Sequence, residues 1–521
     1  MHTPTTTRML ALAGMLALGA CSTLHNNYEK PRSEAVAPVS NTPSTQYVES
    51  EQKLHAIGHS GFRLLTLSTN ALMSRLALSE QAEKSLDLQY YIFRDDKTGK
   101  LVAEHLLRAA DRGVRVRLLL DDMTQGDAAR MFDALDAHPY IEVRVFNPFM
   151  TRNPGVMSKA AQMLMDFRRL NRRMHNKSFI SDNKVAIIGG RNIADNYFDA
   201  AGDGNFRDLD VVAIGPVVQE ASRVFDDYWN DQATVPVSAF KSSGKGAEEL
   251  PQLRKDLEAH VTKLAASDYA QTLLEELPDG ATADRKGEWF WGNAALVADQ
   301  PEKIEAGDDK PGLRIGPALF KLMDEAKSQI SILSPYFIPS EENEQLFISL
   351  AKRGVAIRIL TNSLASTDEP PVHGGYSEHR RDLLKGGVEL YELKPVSGVK
   401  QSSAQNTRAP DVALHAKSFT VDQRYVFVGS MNMDHRSRLL NTEMGLVVDS
   451  PELAKAVDDY FKLVTLPANA YKLGLENGHG QIIWQTTEGG KPVVLKEEPQ
   501  VGLLKQTGVL LMKLLPIDSL L

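Results

Sequence analysis

One pattern occurs twice in this chain, and it constrains the fold more than anything else in the sequence. The first copy runs His175-Asn176-Lys177-Ser178-Phe179-Ile180-Ser181-Asp182 and reaches Gly189-Gly190-Arg191-Asn192 after an apolar stretch. The second runs His415-Ala416-Lys417-Ser418-Phe419-Thr420-Val421-Asp422 and reaches Gly429-Ser430-Met431-Asn432. Both fit H-x-K-x4-D-x6-G-[GS]-x-N without a gap. The flanks repeat as well. Lys84-Ser85 returns at Lys327-Ser328, 243 residues on, Arg112-Gly113 at Arg353-Gly354, 241 on, and His175 at His415, 240 on. Near-constant spacing over such a length indicates duplication of a whole domain.

Within each copy, strand and helix signals alternate. Leu86–Phe93 reads as a strand, Lys100–Arg112 as a helix stopped by Gly113, and Val114–Leu120 and Ile141–Phe146 as further strands. Pro216 opens a closing helix to about Asn230. In the second copy Ile330–Phe337 and Arg353–Leu360 match the first. The expected architecture is α/β: two tandem domains, each a mixed β-sheet flanked by helices, related by a pseudo-twofold axis with one shared active site. The boundaries expected are 1–20 signal peptide, 21–55 polar tether, 56–240 first domain, 241–295 inter-domain helical segment, 296–470 second domain and 471–521 tail.

On a strand, residues two apart face the same side, so each His and Lys pair points together. Two such sets facing one another gather two imidazoles, two ammonium groups and two amides around one anion. One imidazole can attack phosphorus, while the other protonates the leaving oxygen and later deprotonates an incoming alcohol. Lys177, Lys417, Asn192 and Asn432 would hold the non-bridging oxygens, with a hydroxyl from Ser430 that Gly190 lacks. A carboxylate should fix each imidazole tautomer. Asp208 and Glu443 are the candidates, each eight residues before a proline, Pro216 and Pro451. Asp208 can serve His175 or, across the axis, His415. This inventory calls for no metal and no cofactor.

These residues resemble the twin signature of the phospholipase D superfamily. From about Leu86 to Val448 the chain is similar to the bacterial cardiolipin synthases of the C type, as in Asp87–Ile92, Val114–Asp122, Leu170–Phe179 and the ending Leu514–Ile517. The resemblance implies transphosphatidylation through a phosphatidyl-histidine, combining phosphatidylglycerol with phosphatidylethanolamine to give cardiolipin. It implies His175 as nucleophile and His415 as acid/base. Asp182 and Asp422 belong to the signature and enter the catalytic set with it, although their role in the superfamily is structural. The runner-up is a phospholipase D hydrolase releasing phosphatidic acid, since no motif decides between water and an alcohol as acceptor. A superfamily nuclease ranks lower, because the net charge of −8 offers no general attraction to nucleic acid. A non-enzymatic lipoprotein adaptor would be expected to have lost catalytic positions that are intact here.

The ends point to lipid. Arg8 precedes the apolar run Met9–Leu18, too short to span a bilayer, and Leu18-Gly19-Ala20-Cys21 reads as a bacterial lipoprotein signal. Acylation of Cys21, the only cysteine, would anchor the chain on one leaflet of the cell envelope, facing the periplasm. Ser22 favours the outer over the inner membrane. A helper protein encoded elsewhere stays open. The apolar tail 501–521 reads either as a packed helix or as a segment in the lipid interface. The basic stretch Arg168–Arg173 reads as a solvated helix end or an anionic head-group contact, and Gly398–Pro410 as a mobile loop beside the second His. Tyr90, Tyr91, Tyr336 and Phe337 end matching strands and are candidates to line the mouth of the site.

Overall fold

The computed structural model describes residues 28–502, apart from 41, 124–125, 127, 151–155, 203, 241–244, 276–288, 307–309 and 396–411. Cys21 and its signal, the loop Gly398–Pro410 and most of the apolar tail lie outside the described residues.

The first half supplies β1 (Ser60–Leu65), β2 (Ser85–Tyr90), β3 (Arg115–Asp121), β4 (Ile141–Phe146), β5 (Ser178–Ser181), β6 (Val185–Gly189), β7 (Asn205–Arg207), β8 (Asp210–Ile214) and β9 (Thr234–Pro236). Their order across the sheet is β9-β4-β3-β2-β5-β6-β8-β1, with β2, β3 and β4 parallel and the rest antiparallel. The second half supplies β10 (Phe290–Ala298), β11 (Gln329–Leu333), β12 (Ala356–Asn362), β13 (Glu389–Leu393), β14 (Val412–Leu414), β15 (Ser418–Val421), β16 (Tyr425–Gly429), β17 (Met444–Asp449) and β18 (Ala470–Leu475). It repeats the order as β18-β13-β12-β11-β15-β16-β17-β10. The edge strands β1 and β10 pair antiparallel, Ser60 opposite Gly292, so the two sheets become one of 18 strands. β10 therefore runs across the boundary expected at 295/296, its Phe290–Gly292 pairing with β1 and its Asn293–Ala298 with β17.

Local signals explain most elements. Asp96 caps the helix Lys97–Asp111 by accepting from Gly99 N, and Gly113 follows it at φ 88°. Gly354, its counterpart, stands at φ 92°. The strands expected at Leu86–Phe93 and Ile330–Phe337 stop earlier than the run of apolar residues suggests, at Tyr90 and Leu333. In the first half Asn192 Oδ1 takes the Ile92 N–H at 3.0 Å, and in the second Pro335 has no N–H to continue a ladder.

Two expectations are corrected. Much of 21–55 is not a free tether. Lys30 donates to the Asp231 and Thr234 carbonyls, Arg144 to the Pro31 carbonyl and Arg117 to that of Ser33, while Val39 N–H donates to the Asp182 carbonyl. Carbonyls of this irregular segment satisfy buried guanidinium groups that would otherwise be costly to bury. Nor are residues 471–495 a tail: β18 pairs with β19 (Ile482–Glu488), which pairs with β20 (Lys491–Leu495), extending the second sheet.

One apolar cluster crosses the seam. It joins Ile180, Val211, Phe225 and Trp229 of the first half to Leu414, Val428, Leu446 and Val457 of the second. Each such side chain contributes about 1.5–3 kcal/mol on burial, so the two halves share their stability. Among the described residues no helix is long and apolar enough to cross a membrane.

Candidate active site

Each His-x-Lys pair sits in the extended lead into β5 or β15 rather than in the strand itself. The opposite half holds that lead in place. His175 N–H donates to the Thr442 carbonyl and Thr442 N–H to the Arg173 carbonyl, both at 2.9 Å. On the other side β14 pairs in parallel with β7, Leu414 opposite Arg207, and His415 N–H donates to the Arg207 carbonyl at 2.7 Å. The residue after each crossing is a carboxylate, Glu443 after Thr442 and Asp208 after Arg207.

The pairing across the axis follows. His175 Nδ1 lies 2.9 and 3.1 Å from the two Glu443 oxygens, and His415 Nδ1 lies 2.5 Å from Asp208 Oδ2. Each imidazole is thus oriented by the other half's carboxylate. Both Nε2 atoms are left for chemistry, that of His415 with Tyr197 Oη at 3.4 Å. Lys177 Nζ donates to the His175 carbonyl at 2.6 Å, and Lys417 Nζ lies 2.8 Å from His415 Nδ1. All six side chains are buried.

The family is now decidable. A model of the phospholipase D-like domain of cardiolipin synthase matches residues 76–229 and 319–464, one match per half. The chain belongs to the cardiolipin synthase family. Cardiolipin synthase C of Escherichia coli (strain K12) is 40% identical over 475 residues, covering 89% of this chain and 97% of the relative. Cardiolipin synthase A of Yersinia pseudotuberculosis (serotype IB, strain PB1/+) is 27% identical over 80% of this chain and 73% of its own. Phosphatidylserine synthase from Haemophilus influenzae Rd KW20 shares the fold, with a TM-score of 0.56 at 15% identity over 92% of this chain and 100% of that one. Membership makes this chain an enzyme of the phospholipase D type, with its two halves as the two repeats of the family domain.

Burial dominates the electrostatics of the pocket. It pushes His175 down to about 4, with Lys177 and Lys417 adding to the fall against the pull of Glu443. His415 is driven well below the usual imidazole range by burial, then by Lys417 and Lys177. Burial lowers Lys177 to about 7 and Lys417 to about 8. The two carboxylates diverge. Burial raises Asp208, whereas at Glu443 the same effect is outweighed by His175 and Lys177, with a Ser430 hydrogen bond, and the net shift is downward. An ionised Glu443 facing a neutral His175 is the arrangement a nucleophilic imidazole needs.

Several sequence-based roles change. Asp182 and Asp422, included in the catalytic set, sit at the far ends of β5 and β15. Asp182 accepts from the N–H groups of Glu83, Lys84 and Ser85, and Asp422 from those of Lys327, Ser328 and Gln329. Both residues adopt φ near 50° in the turn, so they pin the starts of β2 and β11 and touch neither imidazole. Ser430, expected on the phosphate, donates to Glu443 Oε2 at 2.5 Å and accepts from Met444 N–H. Gly190 cannot copy it, because a Cβ there would stand 2.2 Å from Asp208 Oδ1. The shorter carboxylate fills the space that Ser430 occupies in the other half.

The amide of Asn192 is engaged with Ile92 N–H and Tyr197 Oη, while Asn432 Oδ1 is buried with no hydrogen-bond partner. The basic stretch is neither of its two readings at its end. Arg173 pairs with Asp121 at 2.9 Å, and Arg172 donates to the Ile304 and Ala306 carbonyls of the second half. Of the four aromatic candidates, Tyr91 stacks edge-on to His175 at 5.1 Å and Tyr336 donates to Asp368, whereas Tyr90 and Phe337 are core. Sequence reasoning missed Tyr197 and Phe206, whose rings lie 5.0 Å from that of His415, and Ser437, which donates to Glu443 Oε1. Only the spacing of Phe206 from Asp208 hinted at any of them.

Proposed function

We propose that this protein transfers a phosphatidyl group to a phospholipid alcohol through a phosphatidyl-His175 intermediate, forming cardiolipin. The observation that carries the reading is the pair of buried imidazoles, each held through Nδ1 by a carboxylate of the opposite half. The 40% identity to a cardiolipin synthase C supports the choice of product.

In the first step the His175 Nε2 lone pair attacks the phosphorus of phosphatidylethanolamine. The N–P bond forms, the P–O bond to ethanolamine breaks, and His415 Nε2 gives its proton to the departing oxygen. In the second step the free hydroxyl of phosphatidylglycerol passes its proton to His415 and attacks phosphorus, and the P–N bond breaks. Both imidazoles return to their starting state. Lys177 and Lys417 offset the charge on the non-bridging oxygens throughout. The arriving phosphodiester anion counters Lys417 and Lys177, which add to burial in lowering His415, and so favours the protonated acid.

The protein would act at a bacterial envelope membrane, anchored by acyl chains on Cys21 and facing the periplasm, with the outer membrane favoured. Incubating the purified protein with labelled phosphatidylglycerol, with and without phosphatidylethanolamine, tests the reaction. Labelled cardiolipin and free ethanolamine are expected; phosphatidic acid alone would replace this reading with hydrolysis.

The pH profile should carry the lysines. The empty site loses cationic charge as pH rises through about 7 at Lys177 and about 8 at Lys417. His175, at about 4, is already neutral across that range. We expect kcat/KM, which reports the free enzyme, to be highest below pH 7 and to fall as pH rises through 7–8. A kcat/KM that climbs between pH 7 and 9 would contradict the charge assignment.

A further inference from the structure

Helix 156–165, reading Val-Met-Ser-Lys-Ala-Ala-Gln-Met-Leu-Met, contains no acidic residue and turns its apolar side to solvent. Met157, Ala160 and Leu164 fall at i, i+3 and i+7, one stripe along the helix, and all are exposed. Met157 and Leu164 are each 85% exposed and Met165 71%, and Phe167 just beyond is exposed too. Of the twelve exposed large apolar side chains among the described residues, five fall between Met150 and Phe167. That concentration is what separates a docking patch from scattered surface apolars.

We infer that this face docks on a phospholipid bilayer and presents the membrane to the catalytic pocket. The inference rests on the phospholipid-substrate reading and adds the surface by which the lipid is reached. Three observations select a bilayer as the occupant.

First, the short helix that carries Phe167, residues 167–170, is tied to the site. Asn147 at the end of β4 donates to the Arg169 and Arg172 carbonyls, and Arg169 donates back to Asn147 Oδ1 at 2.7 Å. Arg173 and the Met174 N–H then hold Asp121, and His175 follows. The patch and the imidazoles therefore share the carboxyl end of the parallel strands β2, β3 and β4. Second, the border is cationic. Arg168 is exposed beside Phe167, while the adjacent Asp166 is paired with Arg169 at 2.6 Å. Anionic lipid suits that border. Third, the amino-terminal strap reaches the same strand: Arg144 of β4 binds the Pro31 carbonyl, and Lys30 binds the chain around β9. Lys30 stands nine positions after Cys21, at most roughly 30 Å of chain, so an anchor on Cys21 would keep this side of the molecule at the membrane.

The variant Met157→Glu/Leu164→Glu/Phe167→Glu, made in the full-length protein, reads the effect on turnover. With vesicles of phosphatidylethanolamine and phosphatidylglycerol, transfer is expected to fall roughly tenfold or more, while transfer with short-chain lipids kept below their micelle concentration stays within about twofold. Equal loss on both substrates, or no loss on vesicles, overturns the proposal. So does a shift of the variant from a larger to a smaller solution assembly with vesicle turnover intact, which would assign the face to a second copy. A readout independent of activity is Leu164→Trp with lipids brominated along their acyl chains. Quenching above that of the native tryptophans is expected; quenching no greater than theirs overturns the docking even if the chemistry is other than proposed. Absence of turnover on every lipid, with quenching present, would instead count against the proposed reaction alone.

Discussion

Replacing His175 with alanine is expected to abolish phosphatidyl transfer, by on the order of 10⁴-fold or more, because the covalent route is then closed. Its partner should fail differently. His415→Ala removes the proton donor, yet a phosphatidyl ester of p-nitrophenol needs little help to leave. That substrate should still load His175, while the second step stalls for want of a base. Intact mass spectrometry should then show the variant heavier by one phosphatidyl group, and peptide mapping should place the group on His175. The reason to choose this imidazole lies in its environment. Glu443 faces it through two oxygens and is held ionised by His175 and Lys177 against burial, with Ser430 and Ser437 donating to the same carboxylate. Asp208, opposite His415, is raised by burial and accepts from the Leu209 N–H. Label recovered on the His415 peptide would reverse the two roles.

Glu443→Gln is expected to be the next most damaging change. The substitution keeps the size but offers His175 Nδ1 an amide that can orient it in the wrong tautomer, and kcat should drop by roughly 10²- to 10⁴-fold. Since Glu443 serves the nucleophile, an activated leaving group should not restore the rate. Asp208→Asn acts on the acid instead, so the p-nitrophenyl ester should recover most of what is lost with phosphatidylethanolamine. The contrast tests the crossing of the halves. If Asp208 served His175 within its own half, the leaving group would rescue Glu443→Gln and not Asp208→Asn.

How much of this was legible beforehand depends on the range of the interaction. The duplication, the strand Ile141–Phe146 and the helix Pro216–Asn230 are local or periodic features, and the structure has them where the residues put them. The halves carrying matched sheets follow from the same repeat. Asp182 and Asp422 show the limit. Their place in the pattern is as constant as that of His175, but they serve backbone N–H groups at the opposite ends of their strands. Spacing records that a residue matters to the repeat, not which end of a strand it serves. Ser430 makes the same point, since its hydroxyl answers to a carboxylate 13 residues further along the chain.

By itself, then, the sequence determined the two-fold repeat, the family, and the imidazoles, lysines and carboxylates from which a phosphodiester site can be made, because these reside in residue type and register. Only the tertiary structure decided that Glu443 belongs to His175 and Asp208 to His415, because β14 and β7, and Met174 beside Thr442, carry each lead across the axis through hydrogen bonds between residues more than 200 positions apart. It likewise decided that residues around 30–39 clamp the first domain and that helix 156–165 leaves its apolar side uncovered. Burial is a property of what surrounds a residue in space, and no local pattern encodes the side of a helix that its neighbours leave bare.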